Sequence, residues 1–128
     1  LKIFNDNFAK TLTLCSKDKF EDSKTSFCKY LVVDENNKRL DPLNILEVLG
    51  QQGITSIIIE GGQKLLKSFY DDSLIDEIYI YSSKSSIDNL QLENPLKINS
   101  DWQITEELDL IDDSLTIARK KELCLQEL

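Results

Sequence analysis

Five consecutive residues, Ile58-Ile59-Glu60-Gly61-Gly62, hold the best chemical candidates in this 128-residue chain. They end a short apolar run, Ile54 to Ile59, and stand just before an amphipathic stretch that begins at Gln63. In an open α/β sheet, ligands settle in the crevice beyond the carboxyl ends of the strands. Two glycines at such a place let main chain approach a ligand with no Cβ between. A helix starting at Gln63 would add unpaired N–H groups and the positive end of its dipole, which is the setting for a pyrophosphate. Glu60 stands where a carboxylate can accept hydrogen bonds from sugar hydroxyls or pair with a neighbour. Lys64 and Lys67 fall in the first two turns, where a cation opposes the dipole unless an anion is bound. The pattern is neither the full dinucleotide fingerprint nor a P-loop. Alone it fits a tight strand-to-helix turn with a solvated lysine face equally well.

The remaining residues narrow the chemistry mostly by what they exclude. There is no histidine, so Ser-His-Asp and Cys-His catalysis and His-ligated zinc are ruled out within one chain. Asp71-Asp72, Asp76-Glu77 and Asp112-Asp113 are adjacent carboxylates, and adjacent side chains point apart, so a metal site is not expected. Net charge is -8, from 23 acidic and 15 basic residues, which argues against nucleic acid and anionic membrane as partners. A phosphorylated small ligand stays possible, because backbone N–H groups and one or two local cations suffice for it. Cys15, Cys28 and Cys124 form an odd set without CxxC spacing, which reads as reduced thiols in a cytoplasmic protein. No apolar run reaches the roughly 20 residues that cross a bilayer.

The elements that must position the candidate residues follow from local pattern. Thr11 to Cys15 and Cys28 to Val33 read as strands, separated by a polar loop from Ser16 to Ser26. Asp41 caps a helix with Pro42 at its first position, and Leu43, Ile45, Leu46 and Leu49 form its apolar face. Gly50 or Gly53 ends that helix. Ile54 to Ile59 suits a strand covered on both faces. A helix from about Gln63 to Asp71 buries Leu65, Leu66, Phe69 and Tyr70, and Leu74 to Ser82 forms the next strand. Strand, helix and strand would make one right-handed βαβ unit. The stretch from Ser83 to Ser100 is polar and irregular. Beyond it an antiparallel hairpin is expected, carrying Trp102, Ile104 and Leu108 on one strand and Leu115 and Ile117 on the other. Its turn is Asp112-Asp113-Ser114, and the tail from Glu122 to Leu128 is either a helical turn or more strand. Tyr79, Tyr81 and Trp102 read as packing residues.

The block from Leu43 to Ser82 resembles the reductase domain of the riboflavin-biosynthesis bifunctional deaminase–reductase. It carries Leu49-Gly50-Gln51-Gln52-Gly53-Ile54, then Ile59-Glu60-Gly61-Gly62, a helix, and Asp76-Glu77-Ile78-Tyr79, in that family's order and spacing. The resemblance implies a dihydrofolate-reductase-like α/β fold with a mostly parallel sheet flanked by helices, closed by the C-terminal hairpin. It implies that residues 1–128 are a single, partial reductase domain that begins partway through the family's domain, with a deaminase domain possible in the parent chain. The implied activity is NADPH-dependent reduction of 5-amino-6-(5-phosphoribosylamino)uracil, a phosphorylated pyrimidine, at its ribose. Glu60 matches the substrate contact, and Gly61, Gly62, Gln63, Lys64, Leu65 and Ser68 match the segment that wraps NADPH. No residue of this stretch is assigned to the chemical step. The chain departs from the family at Ser82-Ser83-Lys84-Ser85-Ser86, where an apolar residue, a proline and a Leu-Leu-Gly-like stretch usually follow. Two alternatives stand beside the homodimeric cytoplasmic reductase: a non-catalytic reductase-like domain serving self-association, and another enzyme of the same fold with a different substrate.

Overall fold

The computed structural model describes residues 9–22, 28–85 and 93–121. The chain divides into two compact units, Leu1–Ile58 and Ile59–Leu128. Expectations for the end of the first loop, residues 86–92 and the tail from Glu122 lie outside the described residues.

In the first unit, β1 (Thr11–Cys15) and β2 (Cys28–Val32) pair in parallel, Thr11 opposite Cys28 and Cys15 opposite Val32. A short 3-10 turn, Lys17–Lys19, follows β1. Two-residue strands β3 (Glu35–Asn36) and β4 (Arg39–Leu40) form a small ribbon. Asn37 and Lys38 close it with φ of 51° and 62°, the left-handed pair that a two-residue hairpin demands. Helix α1 (Pro42–Gln51) then begins as expected. The Asp41 carboxylate accepts the Asn44 N–H at 3.0 Å, and the Asn44 side chain in turn accepts the Asp34 N–H at 2.9 Å. Pro42 and Ile45 are buried, and the unit's core adds Cys28, Leu31 and Val33. Leu43, expected on the apolar face, is exposed, because the buried stripe runs through 42, 45 and 49 and leaves 43 a third of a turn away. Gly53, with φ of 80°, ends the helix and Gly50 lies inside it. The Gly53 and Ile54 N–H groups bond back to the Gly50 and Leu49 carbonyls, a complete Schellman closure.

Residues 54–59 do not form the expected strand. They pair with no strand among the described residues, and Ile58 is 89% exposed. A run of β-branched residues favours extended backbone, but a strand exists only where a neighbour supplies the ladder. The expected βαβ unit is therefore absent among the described residues. Among the described residues β1–β2 is the one parallel pair, so the mostly parallel sheet flanked by helices is corrected to an α/β arrangement of small sheets with two helices.

In the second unit, α2 (Gln63–Asp71) matches its expected bounds. It precedes a three-stranded antiparallel sheet of β5 (Glu77–Ser83), β6 (Trp102–Asp109) and β7 (Asp113–Lys120), in the order β5-β7-β6. The C-terminal hairpin is thus present, but its turn is residues 110–112, and Asp113 and Ser114 already belong to β7. The turn sits two residues earlier because the Leu110 N–H closes it on the Asp113 carbonyl at 2.9 Å. The Lys84 ammonium braces the turn through the Leu110 carbonyl at 2.7 Å and the Asp109 carboxylate at 2.5 Å. Ile78, Trp102 and Ala118 form the core of one sheet face, joined by Tyr70, Ile75, Ile80, Leu96 and Ile98. Tyr70 stacks on Trp102 with ring centres 6.3 Å apart, and its hydroxyl donates to the Lys97 carbonyl at 2.6 Å. Phe69, 2% exposed, is the buried anchor of α2, while Leu65, expected beside it, is exposed. No helix among the described residues is long and apolar enough to cross a membrane.

Candidate functional site

The start of α2 holds most of the residues singled out in the sequence. Gly62 is the N-cap, with extended φ of -65° and ψ of 163°, and it offers no side chain to the helix. The Leu65 and Leu66 N–H groups both turn back to the Gly62 carbonyl, at 3.0 and 3.2 Å. The N–H groups of Gln63 and Lys64, ahead of them, have no carbonyl within the helix to reach. The positive end of the α2 dipole is left uncapped.

The two glycines have different reasons to be there. A Cβ on Gly61 would lie 2.5 Å from Leu65 Cδ2 and 3.1 Å from Leu65 Cβ, so Gly61 lets Leu65 fold back over the turn. That same contact is what draws Leu65 away from the core. At Gly62 a Cβ would meet nothing within 4 Å, and φ there is negative. Neither packing nor backbone geometry asks for glycine at 62. Glycine is nonetheless an ordinary N-cap residue, and a ligand seated on the helix start would favour it further.

The polar candidates divide in the same way. Lys67 is committed to Asp71, at 2.8 Å one turn on, an exposed pair that contributes a few tenths of a kcal/mol at most. Gln63 donates its side-chain amide to the Glu93 carbonyl at 2.9 Å, and Ser68 returns its hydroxyl to the Leu65 carbonyl at 2.7 Å. Lys64 and Glu60 are exposed, and neither side chain has a hydrogen bond or ion pair among the described residues. The structure therefore leaves a helix start without a side-chain cap, open space beside its N-cap glycine, and a cation and a carboxylate free of partners among the described residues. That set can hold a phosphate and accept hydroxyls. It contains no acid–base pair, and no group of three metal-ligating side chains occurs among the described residues.

A second feature escapes a reading of the sequence. Ser16, Lys17, Asp18, Val33, Asp34 and Glu35 line a depression of about 440 Å³ at the carboxyl ends of β1 and β2. Ser16 is buried and donates its hydroxyl to Asp18 at 2.5 Å, which holds the Asp18 carboxyl below the usual carboxylate range. A signal exists, since the carboxyl ends of adjacent parallel strands are where open α/β sheets collect ligands. It is hidden because Ser16 to Ser26 reads as loop by composition. On the β5–β7 ladder, Glu77 accepts from the Tyr79 hydroxyl and the Arg119 guanidinium, which together keep its carboxyl below the ordinary value.

Known proteins bear on this geometry. The RibD C-terminal domain family matches residues 1–83, so the match ends with the last residue of β5. The chain is 28% identical over 80 residues to the riboflavin biosynthesis protein RibD of Actinobacillus pleuropneumoniae, covering 62% of this chain and 21% of that protein. It is likewise 28% identical over 64 residues to the riboflavin biosynthesis protein RibD of Buchnera aphidicola subsp. Baizongia pistaciae, covering 50% of this chain and 17% of that protein. The matched stretch spans about a fifth of the length of these relatives.

Proposed function

The chain belongs to the RibD C-terminal domain family, and from that premise we propose that it is the C-terminal part of an NADPH-dependent reductase of riboflavin biosynthesis. Its substrate would be 5-amino-6-(5-phosphoribosylamino)uracil, whose ribose becomes a ribityl chain. When bound, NADPH would supply the hydride for the ribose C1 carbon, the balancing proton coming from solvent. The part of this chain is to hold and orient. The uncapped N–H groups of Gln63 and Lys64 face an incoming diphosphate, Gly62 lets it come close, and the Lys64 ammonium offsets its charge. Glu60, free of any partner among the described residues, accepts hydrogen bonds from substrate hydroxyls.

The observation that carries this reading is the start of α2 at Gly62, an N-cap without a side-chain hydrogen bond and with open space where a Cβ would stand. Residues that fit a diphosphate are present, while nothing among them points to a proton donor for the chemical step. Titrating the chain with NADPH while following nucleotide fluorescence tests the reading. Saturable binding with a Kd below about 1 mM is expected, within the usual range for such cofactors. A titration that stays flat to that concentration would overturn it.

A further inference from the structure

Residues 93–98, irregular by their sequence, are tied along α2. At one end the Gln63 side-chain amide donates to the Glu93 carbonyl at 2.9 Å, and further along the Tyr70 hydroxyl donates to the Lys97 carbonyl at 2.6 Å. Gln63 and Tyr70 stand two turns apart, about 10 Å along the helix axis, and extended chain from 93 to 97 spans about 13 Å. The segment is therefore a strap that runs beside α2 in the same direction, nearly extended, with Glu93 at the helix start. The Asn94 side chain accepts the Leu96 N–H at 2.9 Å and closes a turn around Pro95. The two ends are held unequally. Leu96 and Ile98 pack against the core of Ile78, Trp102 and Ala118, and Tyr70 is fixed by its stacking on Trp102. Glu93 and Asn94 are exposed, and the bond from Gln63 that holds them is open to water, which readily replaces it.

The tether has an electrostatic consequence. It is made by the first residue of α2, whose own main-chain N–H is one of those without a carbonyl to reach. It brings the Glu93 carboxylate to a range from the positive end of the helix dipole comparable to the Debye length, about 10 Å at 0.1 M salt. An anion is favoured there, so Glu93 serves as a resident counter-charge. A second anion arriving at the same N–H groups meets it as a like charge, weakly at high salt and more strongly at low salt.

Resting on the reading of the α2 start as a diphosphate site, we propose that the Glu93 end of the strap is an autoinhibitory contact. Gln63 holds the Glu93 carboxylate beside the helix start, and a nucleotide's phosphates bind against that charge and push the strap end away. The buried half of the strap keeps Glu93 in place while the site is empty, and the exposed half lets it yield. Gln63 is the positioning residue and Glu93 the charge it positions.

Fluorescence titrations with NADPH in about 0.01 M salt, on the full chain and its variants, test it. Changes at residue 93 leave the main-chain carbonyl that Gln63 reaches. Glu93→Gln is expected to tighten binding about threefold and Glu93→Lys about eightfold, and both gains should shrink below about twofold in 0.5 M salt. Gln63→Met releases the strap but keeps that residue's main-chain N–H, and should tighten binding about twofold. Adding Glu93→Gln to it should then gain less than about 1.5-fold, because the charge acts through the tether. Melting temperatures of all variants are expected to stay unchanged. A glutamate-specific protease should cut after Glu93 faster with NADPH than without it, since cutting follows the population of the open form. Slower cutting would mean that the strap closes over the ligand and would overturn the proposal, as would affinities indifferent to the charge at residue 93. A chain that binds no NADPH in any variant would sink the diphosphate reading and this proposal together, whereas binding that ignores residue 93 sinks this proposal alone.

Discussion

The two helices end alike and begin differently. Both close with the same pair of bonds. In α1 the Gly53 and Ile54 N–H groups reach back to Gly50 and Leu49, and in α2 the Ser73 and Leu74 N–H groups reach back to Tyr70 and Phe69. At the start, α1 has an Asp41 carboxylate on the Asn44 N–H and Pro42 in the first turn, while α2 has only Gly62. A glycine at the N-cap in place of a capping side chain forgoes a few tenths of a kcal/mol. That loss occurs at the one place where family membership leads us to expect a diphosphate. On the proposed reading, local stability and ligand access compete for the same N–H groups, and the two helix starts would resolve the contest in opposite ways.

If α2 is held by its middle rather than its ends, removing its anchor should have the largest effect of any change in either helix. Phe69→Ala is expected to lower the unfolding free energy by about 3–5 kcal/mol, read by urea denaturation. A loss of only a few tenths would mean that the ends hold α2 after all. Next in size, Asp41→Ala removes the side-chain cap of α1 and should cost about 1 kcal/mol in the same assay. An unchanged midpoint would show that the cap contributes nothing and that the contrast between the two starts is one of appearance. Smallest is the far end of α2. Ser73 holds φ of 59° where α1 uses Gly53, so Ser73→Gly should raise stability by about 0.5–1 kcal/mol. The bond from Lys120 goes to the Ser73 carbonyl, so the substitution leaves it in place. A fall in stability would show that the left-handed serine is not strained.

What can be read in the sequence is whatever is decided within one turn of chain. Asp41-Pro42 announces a helix start by its own chemistry, and the α2 bounds and the terminal hairpin follow from alternation and spacing close at hand. What cannot be read depends on partners distant in sequence. Residues 54–59 have every local mark of a buried strand, yet a ladder needs neighbours, and β5 takes β7 instead. Leu43 and Leu65 fit an apolar periodicity and are exposed, the first by a small rotation of the buried stripe and the second because Gly61 gives it a seat elsewhere. The site shows the same limit. Spacing picks out Glu60, Gly61, Gly62 and Lys64 together, but only three-dimensional placement separates Gly61, required by packing, from Gly62, which is not. Gln63, Lys67 and Ser68 look equally available in the sequence and are each committed to a neighbour. The depression beyond β1 and β2 is assembled from residues about fifteen positions apart, which composition cannot bring together.

The proposal that the bare start of α2 receives a dinucleotide's phosphates is tested most directly by closing it. Gly62→Asp installs the cap that α1 already has, and the space for its side chain is open. Compared with the unmodified chain, the variant should melt at the same temperature or slightly higher and bind NADPH at least about tenfold more weakly, since a carboxylate would occupy and repel the phosphate position. A Gly62→Asp variant that binds NADPH as tightly as the original would contradict the account.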